Sequence, residues 1–194
     1  MEVTKEIVEK FSRESKYLGN SIIKFDSILN HQVDSRLINL ISNVIVSSFS
    51  SSKYGKATKI VTAEASGIIP AYGVASNLKI PLIYARKNIP LTMTEGYFSR
   101  KIESRTKATD CILCLSKEYL NKQDRILIVD DVLGSGGAIS ALVSMVRESG
   151  AEVIGVACVV EKTFENARAS LSSLGIDIVS VVKVDLINDD LAFS

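Results

Sequence analysis

Apolar residues recur along this chain in two rhythms. Short unbroken apolar runs read as strands buried on both faces, and runs with apolar positions three and four apart read as helices packed on one side. Residues 3–17 carry the helical rhythm, with Val3, Ile7, Val8 and Phe11 on one face. Ile22–Phe25 is a short strand. Asp34 is placed to cap a helix whose stripe runs Leu37, Ile38, Ile41, Val44, Ile45, Phe49. Ser50–Gly55 is a loop. The strand Lys59–Ala63 runs into Glu64-Ala65-Ser66-Gly67, and a helix starts at Ile68-Ile69-Pro70-Ala71. A strand over Ile80–Arg86 leads to a polar, charged stretch at 91–107, and Ala108–Leu115 reads as the returning strand. Ile126–Val129 is a strand followed by a helix with Ile139, Leu142, Val143 and Val146 on its stripe. Val153–Val160 (strand), Ala167–Leu174 (helix), Ile178–Val184 (strand) and a short tail, Leu186–Ser194, complete the pattern. Strands alternating with helices predict an α/β fold. Its sheet is mostly parallel, doubly wound and flanked by helices, with ligands beyond the strand C-termini. No repeat and no linker divides residues 1–194, so a single domain is expected.

Composition agrees. A chain of 194 residues can bury a full core, and 46% hydrophobic residues with 11 glycines suit a parallel sheet with short turns. A formal net charge of +1 argues against a broad nucleic-acid footprint. The charged opening Met1-Glu2-Val3-Thr4-Lys5-Glu6 does not read as a signal peptide, and no apolar run reaches membrane-spanning length. Three cysteines, an odd number, point to a reducing cytoplasm.

The chemistry concentrates at 126–138. Asp130 and Asp131 stand at the end of an apolar strand, and Gly134-Ser135-Gly136-Gly137-Ala138 opens a helix. Free N–H groups and the helix dipole at such a turn attract a phosphate, and glycines let it approach the backbone. The carboxylates would repel that phosphate, so they face a ribose diol or a hydrated Mg²⁺. Together the two halves describe a ribose 5-phosphate site. A P-loop would need Lys-Ser/Thr where Ala138 and Ile139 stand, and a dinucleotide fingerprint would need glycine at Ile139. Cys111-Ile112-Leu113-Cys114 lacks two further nearby ligands for zinc and reads as buried strand. The single histidine, His31, reads as structural or as a neighbour of a ligand pocket.

The acid pair and glycine loop resemble the diphosphate-sugar motif of type I phosphoribosyltransferases. From about residue 20 to 190 the chain is similar to the bacterial xanthine branch of that family. The resemblance rests on Lys24-Phe25-Asp26-Ser27-Ile28-Leu29-Asn30-His31-Gln32-Val33-Asp34, Glu64–Ala71, Ala85-Arg86-Lys87 and Val159-Val160-Glu161-Lys162-Thr163-Phe164. It implies a homodimeric cytoplasmic salvage enzyme that joins xanthine to phosphoribosyl diphosphate (PRPP), with Mg²⁺ carried on PRPP and no metal held directly. It also implies a small hood over the base, from residues 1–35 and 160–194. Gly134–Ala138 would cradle the 5′-phosphate, and Asp130 and Asp131 would bind the ribose hydroxyls as the catalytic pair. Ala65, Ser66 and Gly67 would hold pyrophosphate, with a non-proline cis peptide between 64 and 67, and Ile23, Asn30 and Lys162 would meet the base. One departure is that hypoxanthine and guanine relatives often carry aspartate, assigned as a base toward the purine, where this chain has Gly134. Another is that the glycine loop looks more like the adenine branch.

Lys162 itself speaks for an oxopurine, because an ammonium only donates hydrogen bonds and meets the amino group of adenine badly. Phe164 would stack on the purine, and Asn30 would read a second edge; the plainer reading is a Glu161–Lys162 surface pair with Phe164 in the core. Arg86 and Lys87 are candidate pyrophosphate partners, across a dimer interface or as a surface charge pair. Residues 91–107, with Gly96 as hinge and Arg100, Lys101, Arg105 and Lys107 as cations, are expected to form a flexible lid or an exposed hairpin. An adenine enzyme and a catalytically silent PRPP-sensing regulator are the alternatives.

Overall fold

The computed structural model describes residues 2–50, 56–94, 96–102 and 111–194. Helix α1 (Glu2–Glu14) leads into a small hairpin, β1 (Lys16–Tyr17) and β2 (Ile23–Lys24), then a π-helical turn at Asp26–Asn30 and helix α2 (Ser35–Ser48). Strand β3 (Lys59–Ala63), helix α3 (Ile68–Leu78) and strand β4 (Leu82–Ala85) follow. Strands β5 (Tyr97–Ile102) and β6 (Cys111–Ser116) form a separate antiparallel pair. The second half is β7 (Arg125–Leu133), α4 (Gly137–Glu148), β8 (Glu152–Lys162), α5 (Ala167–Ser172), β9 (Ile178–Ile187) and β10 (Asp190–Phe193).

Six strands form the central sheet in the order β10-β9-β8-β7-β3-β4. All pair in parallel except β10, which returns along β9. The chain builds outward from β3 to β4 on one side and from β7 through β8 to β9 on the other. The loops after β3 and β7 therefore leave in opposite senses and open a crevice between them.

Both faces of the sheet are covered, which explains the unbroken apolar runs. Along β7, Leu127 and Val129 face a core shared with Ile7, Phe11, Ile41 and Ile45, while Ile126 and Ile128 face one shared with Leu142, Met145 and Val146. Asp34 caps α2 as expected, its Oδ1 accepting from the Leu37 N–H at 3.0 Å.

The structure corrects several boundaries. The first helix stops at Glu14, because Lys16-Tyr17 folds back on Ile23-Lys24 across a tip where Gly19, Asn20 and Ser21 all have positive φ. β7 runs on through the acid pair to Leu133, which lies opposite Glu161, so the carboxylates sit within the strand and not past its end. The tail is a hairpin turned by Asn188-Asp189, both at positive φ, the conformation that a two-residue hairpin turn needs. The charged stretch is a paired hairpin where it is described: Arg100 Nε donates to Ser144 Oγ at 2.9 Å and Nη2 to Glu148 at 2.6 Å, which fastens β5 to α4. Residues 95 and 103–107 of the expected lid, residues 108–110 of its returning strand and the 51–55 loop lie outside the described residues.

Asp124 staples the lower ends of β3 and β7. It is buried and accepts from Lys59 Nζ at 2.8 Å, the Asn121 N–H at 2.9 Å and Thr58 Oγ1 at 3.1 Å. Burial pushes its carboxyl up, but these donors outweigh burial and hold it below the ordinary value. Its contribution is therefore complete above the ordinary value and is lost as pH falls through the lowered one. Asp124→Asn should cost about 1–3 kcal/mol at neutral pH, read as a lower urea midpoint. The gap from wild type should narrow below about pH 4; a constant gap across that range would refute the ionic role.

Candidate active site at the diverging strand ends

Gly67, the residue that starts α3, lies directly against Asp130 of β7. A Cβ at position 67 would collide with Asp130 Oδ1 and Thr62 Oγ1 and stand 2.9 Å from the Ala63 carbonyl oxygen. Only a residue without a side chain lets the two loops of the crevice approach this closely. The loop preceding Gly67 contains the cis peptide, at Glu64–Ala65. Ala65 is exposed, and Ser66 is half-buried.

Asp130 is buried, and the Asp131 N–H donates to its Oδ1 at 3.1 Å. Burial and the neighbouring Asp131 charge push the Asp130 carboxyl well above the ordinary value, and the backbone hydrogen bond and the Lys87 charge only partly oppose them. A carboxylate in such a place is ready to accept hydrogen bonds from hydroxyls that arrive with a ligand. Thr62 Oγ1, also buried, has no hydrogen-bond partner among the described residues.

Past β7 the chain bends through Gly134–Gly136 and enters α4 at Gly137. Gly136 caps that helix at φ 81°, where a side chain would be strained, and Ala167 would sit 3.1 Å from a Cβ there. Gly134 and Ala138 are half-buried, and Ser135 and Gly137 are exposed. The first N–H groups of α4 face this end, which is the geometry of an anion site.

Arg86 and Lys87 gather at the end of β4 around a residue that sequence reasoning left out of the site, Glu64. Arg86 Nε lies 2.6 Å from Glu64 Oε2, an ion-pair contact without the angle of a hydrogen bond. The Lys87 N–H donates to Glu64 Oε1 at 2.7 Å. Glu64 ends the same strand segment whose loop carries Gly67, so it ties the two cationic positions to the crevice.

On the far side, Lys162 ends β8. Its Nζ donates to the Ser21 carbonyl oxygen at 2.8 Å and lies 3.5 Å from Glu165 Oε1. Lys162 and Glu161 do not form the surface pair of the plainer reading. Neighbours on a strand point to opposite faces, and Glu161 is buried and held by Arg168 and Ser180. Ile23 is buried, Asn30 is exposed, and Phe164 is partly buried against the core. His31 is 81% exposed and lies 3.5 Å from Asp26, so it is neither a core residue nor part of this cluster. All three cysteines are free, with Cys111 and Cys114 together on β6.

Comparison with known proteins gives this geometry a context. The family model described as phosphoribosyl transferase domain matches residues 26–183. The chain is 40% identical over 182 residues to the xanthine phosphoribosyltransferase of Deinococcus deserti, covering 92% of this chain and 93% of that one. It is also 40% identical over 181 residues to the Pseudomonas fluorescens protein of the same name, covering 93% and 94%. Among solved structures, adenine phosphoribosyltransferase from Thermoanaerobacter pseudethanolicus superposes with TM-score 0.74 at 24% identity, covering 91% of this chain and 99% of that one. The adenine phosphoribosyltransferase from Trypanosoma brucei, in complex with AMP, pyrophosphate and ribose-5-phosphate, gives 0.75 at 18% identity, covering 91% and 79%. At these identities the structural likeness establishes the fold alone.

The position of Asp130 has a consequence for stability. A carboxyl whose value is raised on folding holds its proton more firmly in the native chain than in the unfolded one. Native stability therefore falls as pH rises through the raised value. Asp130→Asn removes that loss. It should raise Tm by about 2–4 °C for each kcal/mol recovered, with a larger gain at pH 8 than at pH 5. An unchanged or lower Tm at pH 8 would show that the carboxylate is accommodated without cost.

Proposed function

Since the chain belongs to the phosphoribosyltransferase family, a group of glycosyltransferases, we propose that it transfers the 5-phosphoribosyl group of PRPP to xanthine, giving xanthosine 5′-monophosphate and pyrophosphate. The observation that carries the choice of base is Lys162, a donor-only group at the end of β8, held between Ser21 and Glu165. It suits the 6-oxo group of xanthine, guanine or hypoxanthine, and it meets an amino group badly. The curated relatives named for xanthine, at 40% identity, support the same choice.

In this reading the exposed amides at the start of α4 take the 5′-phosphate, and Asp130 and Asp131 accept from the ribose 2′- and 3′-hydroxyls. Ala65, Ser66 and Gly67 offer backbone to the pyrophosphate, with Arg86 and Lys87 adding charge. Paired carboxylates are oxygen donors of the kind that a hard cation takes beside substrate phosphates, so these residues fit Mg²⁺ delivered with PRPP. When bound, the ion neutralises charge on the departing pyrophosphate. The protein orients the two reactants so that a purine nitrogen stands in line with the anomeric carbon as positive charge develops on the sugar. Ile23, Asn30 and Phe164 complete a base pocket under the hood formed by residues 1–35 and 160–194.

Exposed Tyr84 and Tyr119 line a cavity of about 610 Å³ with Leu82 and Met93 beside β4, the outer strand of the central sheet. An apolar surface there supports a homodimer. No helix among the described residues is long and apolar enough to cross a membrane, and a cytoplasmic location is in keeping with three free cysteines.

The test is direct. With PRPP and Mg²⁺, xanthine should give nucleotide and pyrophosphate faster than guanine or hypoxanthine, and adenine should give almost none. Product with adenine alone would favour the adenine branch, and no product with any base would favour a PRPP-sensing regulator. Lys162→Ala should raise the xanthine KM by roughly 5–150-fold, the cost of one unpaired buried polar group, with little change in the PRPP KM. Equal effects on both would remove Lys162 from the base site.

A further inference from the structure

Helix α5 is six residues long, too short to hold its shape alone, yet it stands directly behind the glycine loop. A Cβ on Gly136 would lie 3.1 Å from the Ala167 Cβ, and Ala167, the first residue of α5, is buried. The turn that leads into α4 therefore rests on the end of α5. Arg168, the next residue, keeps α5 in place.

The Arg168 guanidinium is shared among three groups on two strands. Nε donates to Glu161 Oε1 at 2.7 Å, Nη2 donates to Glu161 Oε2 and, at 2.8 Å, to Ser180 Oγ, and Nη1 donates to the Ile178 carbonyl oxygen at 3.0 Å. Glu161 is on β8, and Ile178 and Ser180 are on β9. Burial pushes the Glu161 carboxyl up, but Arg168 and Ser180 outweigh burial and hold it below the ordinary value, so the pair is ionic at neutral pH. A two-pronged contact of this kind fixes direction as well as distance. Glu161 also lies opposite Leu133, the last residue of β7 before the glycine loop. Both ends of the loop are thus tied to the same ion pair: its start through the pairing of β7 with β8, and its close through Ala167.

We propose that Arg168 is a positioning residue for phosphate recognition. By clamping α5 to Glu161 and Ser180 it sets Ala167 against Gly136, and so aims the first N–H groups of α4 at the 5′-phosphate. This rests on the phosphate site proposed above. Those amides grip an anion only while they converge on one point, and a turn of glycines has no side chains to keep them so. The stiffness that the loop lacks comes from α5. Loss of the clamp weakens the hold on a phosphate and spares the pyrophosphate contacts, which stand at the ends of β3 and β4.

The experiment is calorimetric binding of xanthosine 5′-monophosphate, xanthosine and pyrophosphate, with Mg²⁺ throughout. Wild type should bind the monophosphate about 100-fold or more tightly than the nucleoside, the worth of one or two hydrogen bonds to a charged group. Removing one partner of a buried ion pair leaves the other charge alone, so both are changed together, Glu161→Gln with Arg168→Met. This double variant should lose about tenfold of that preference, while its affinity for pyrophosphate stays within about threefold of wild type. In turnover its KM for PRPP should rise about tenfold with kcat within about threefold. Ala167→Gly probes the same contact with the ion pair intact, and should lose about threefold or more of the preference. Variants that keep the wild-type preference overturn the proposal. So does a parallel fall in affinity for all three ligands, which is what a merely structural role gives. A wild type that binds nucleotide and nucleoside alike overturns the phosphate site itself, and this proposal falls with it.

Discussion

The site depends on one close contact, the approach of Gly67 to the carboxylate of Asp130. It joins the ends of β3 and β7, the two strands from which the chain builds the sheet in opposite directions. A parallel doubly wound sheet opens a crevice only at such a point. Any side chain at 67 would force the strand ends apart, and the loop that follows β3 would no longer face the one that follows β7. The contact also dries Asp130. A buried carboxylate without full compensation is costly to the chain.

The crevice then separates like charges. The acids lie within β7, whose pairing continues past them to Leu133. The exposed amides lie beyond, at the start of α4. The two acids are thus set apart from the end that attracts an anion. Glu64 does the same for cations at the neighbouring strand end, drawing Arg86 and the Lys87 amide toward the loop that carries Gly67. These positive groups stand on the β3–β4 side, and Lys162 stands across the sheet at the end of β8, so the two cationic centres are well separated.

Most of the fold was legible because its determinants are local. Buried parallel strands give continuous apolar runs, and Asp34 announces its helix by a cap three residues before the first buried position. The differences have both local and long-range causes. Asn188-Asp189 turns a tight hairpin without glycine, and its strands are half exposed, so neither rhythm marks them. β7 outlasts its apolar run, because acids at a strand end look like a turn until their partners on β8 are seen. Arg100 in the charged stretch looked free for a ligand, yet Glu148 and Ser144 of α4 claim it. That contact joins residues far apart in sequence.

The site divides along the same line. Asp130, Asp131 and Gly134–Ala138 are contiguous, and their chemistry can be read from order alone. Across the sheet, Ser21, Lys162 and Glu165 meet with Gly134 behind them, and only the fold brings these four together. The bland expectation for Lys162 was an ion pair with Glu161. Strand geometry rules it out, since adjacent residues face opposite ways and Arg168 claims Glu161 on the other side. Glu161 and Lys162 therefore serve different ends: one fastens α5 to the sheet, and the other is the group proposed to meet the base. A strand that alternates a structural charge with a ligand-facing one can tolerate change in the second without losing the first. Differences in base preference among relatives sharing this fold are therefore expected at Lys162 and in the turn that follows it, and not in the Glu161–Arg168 pair behind them.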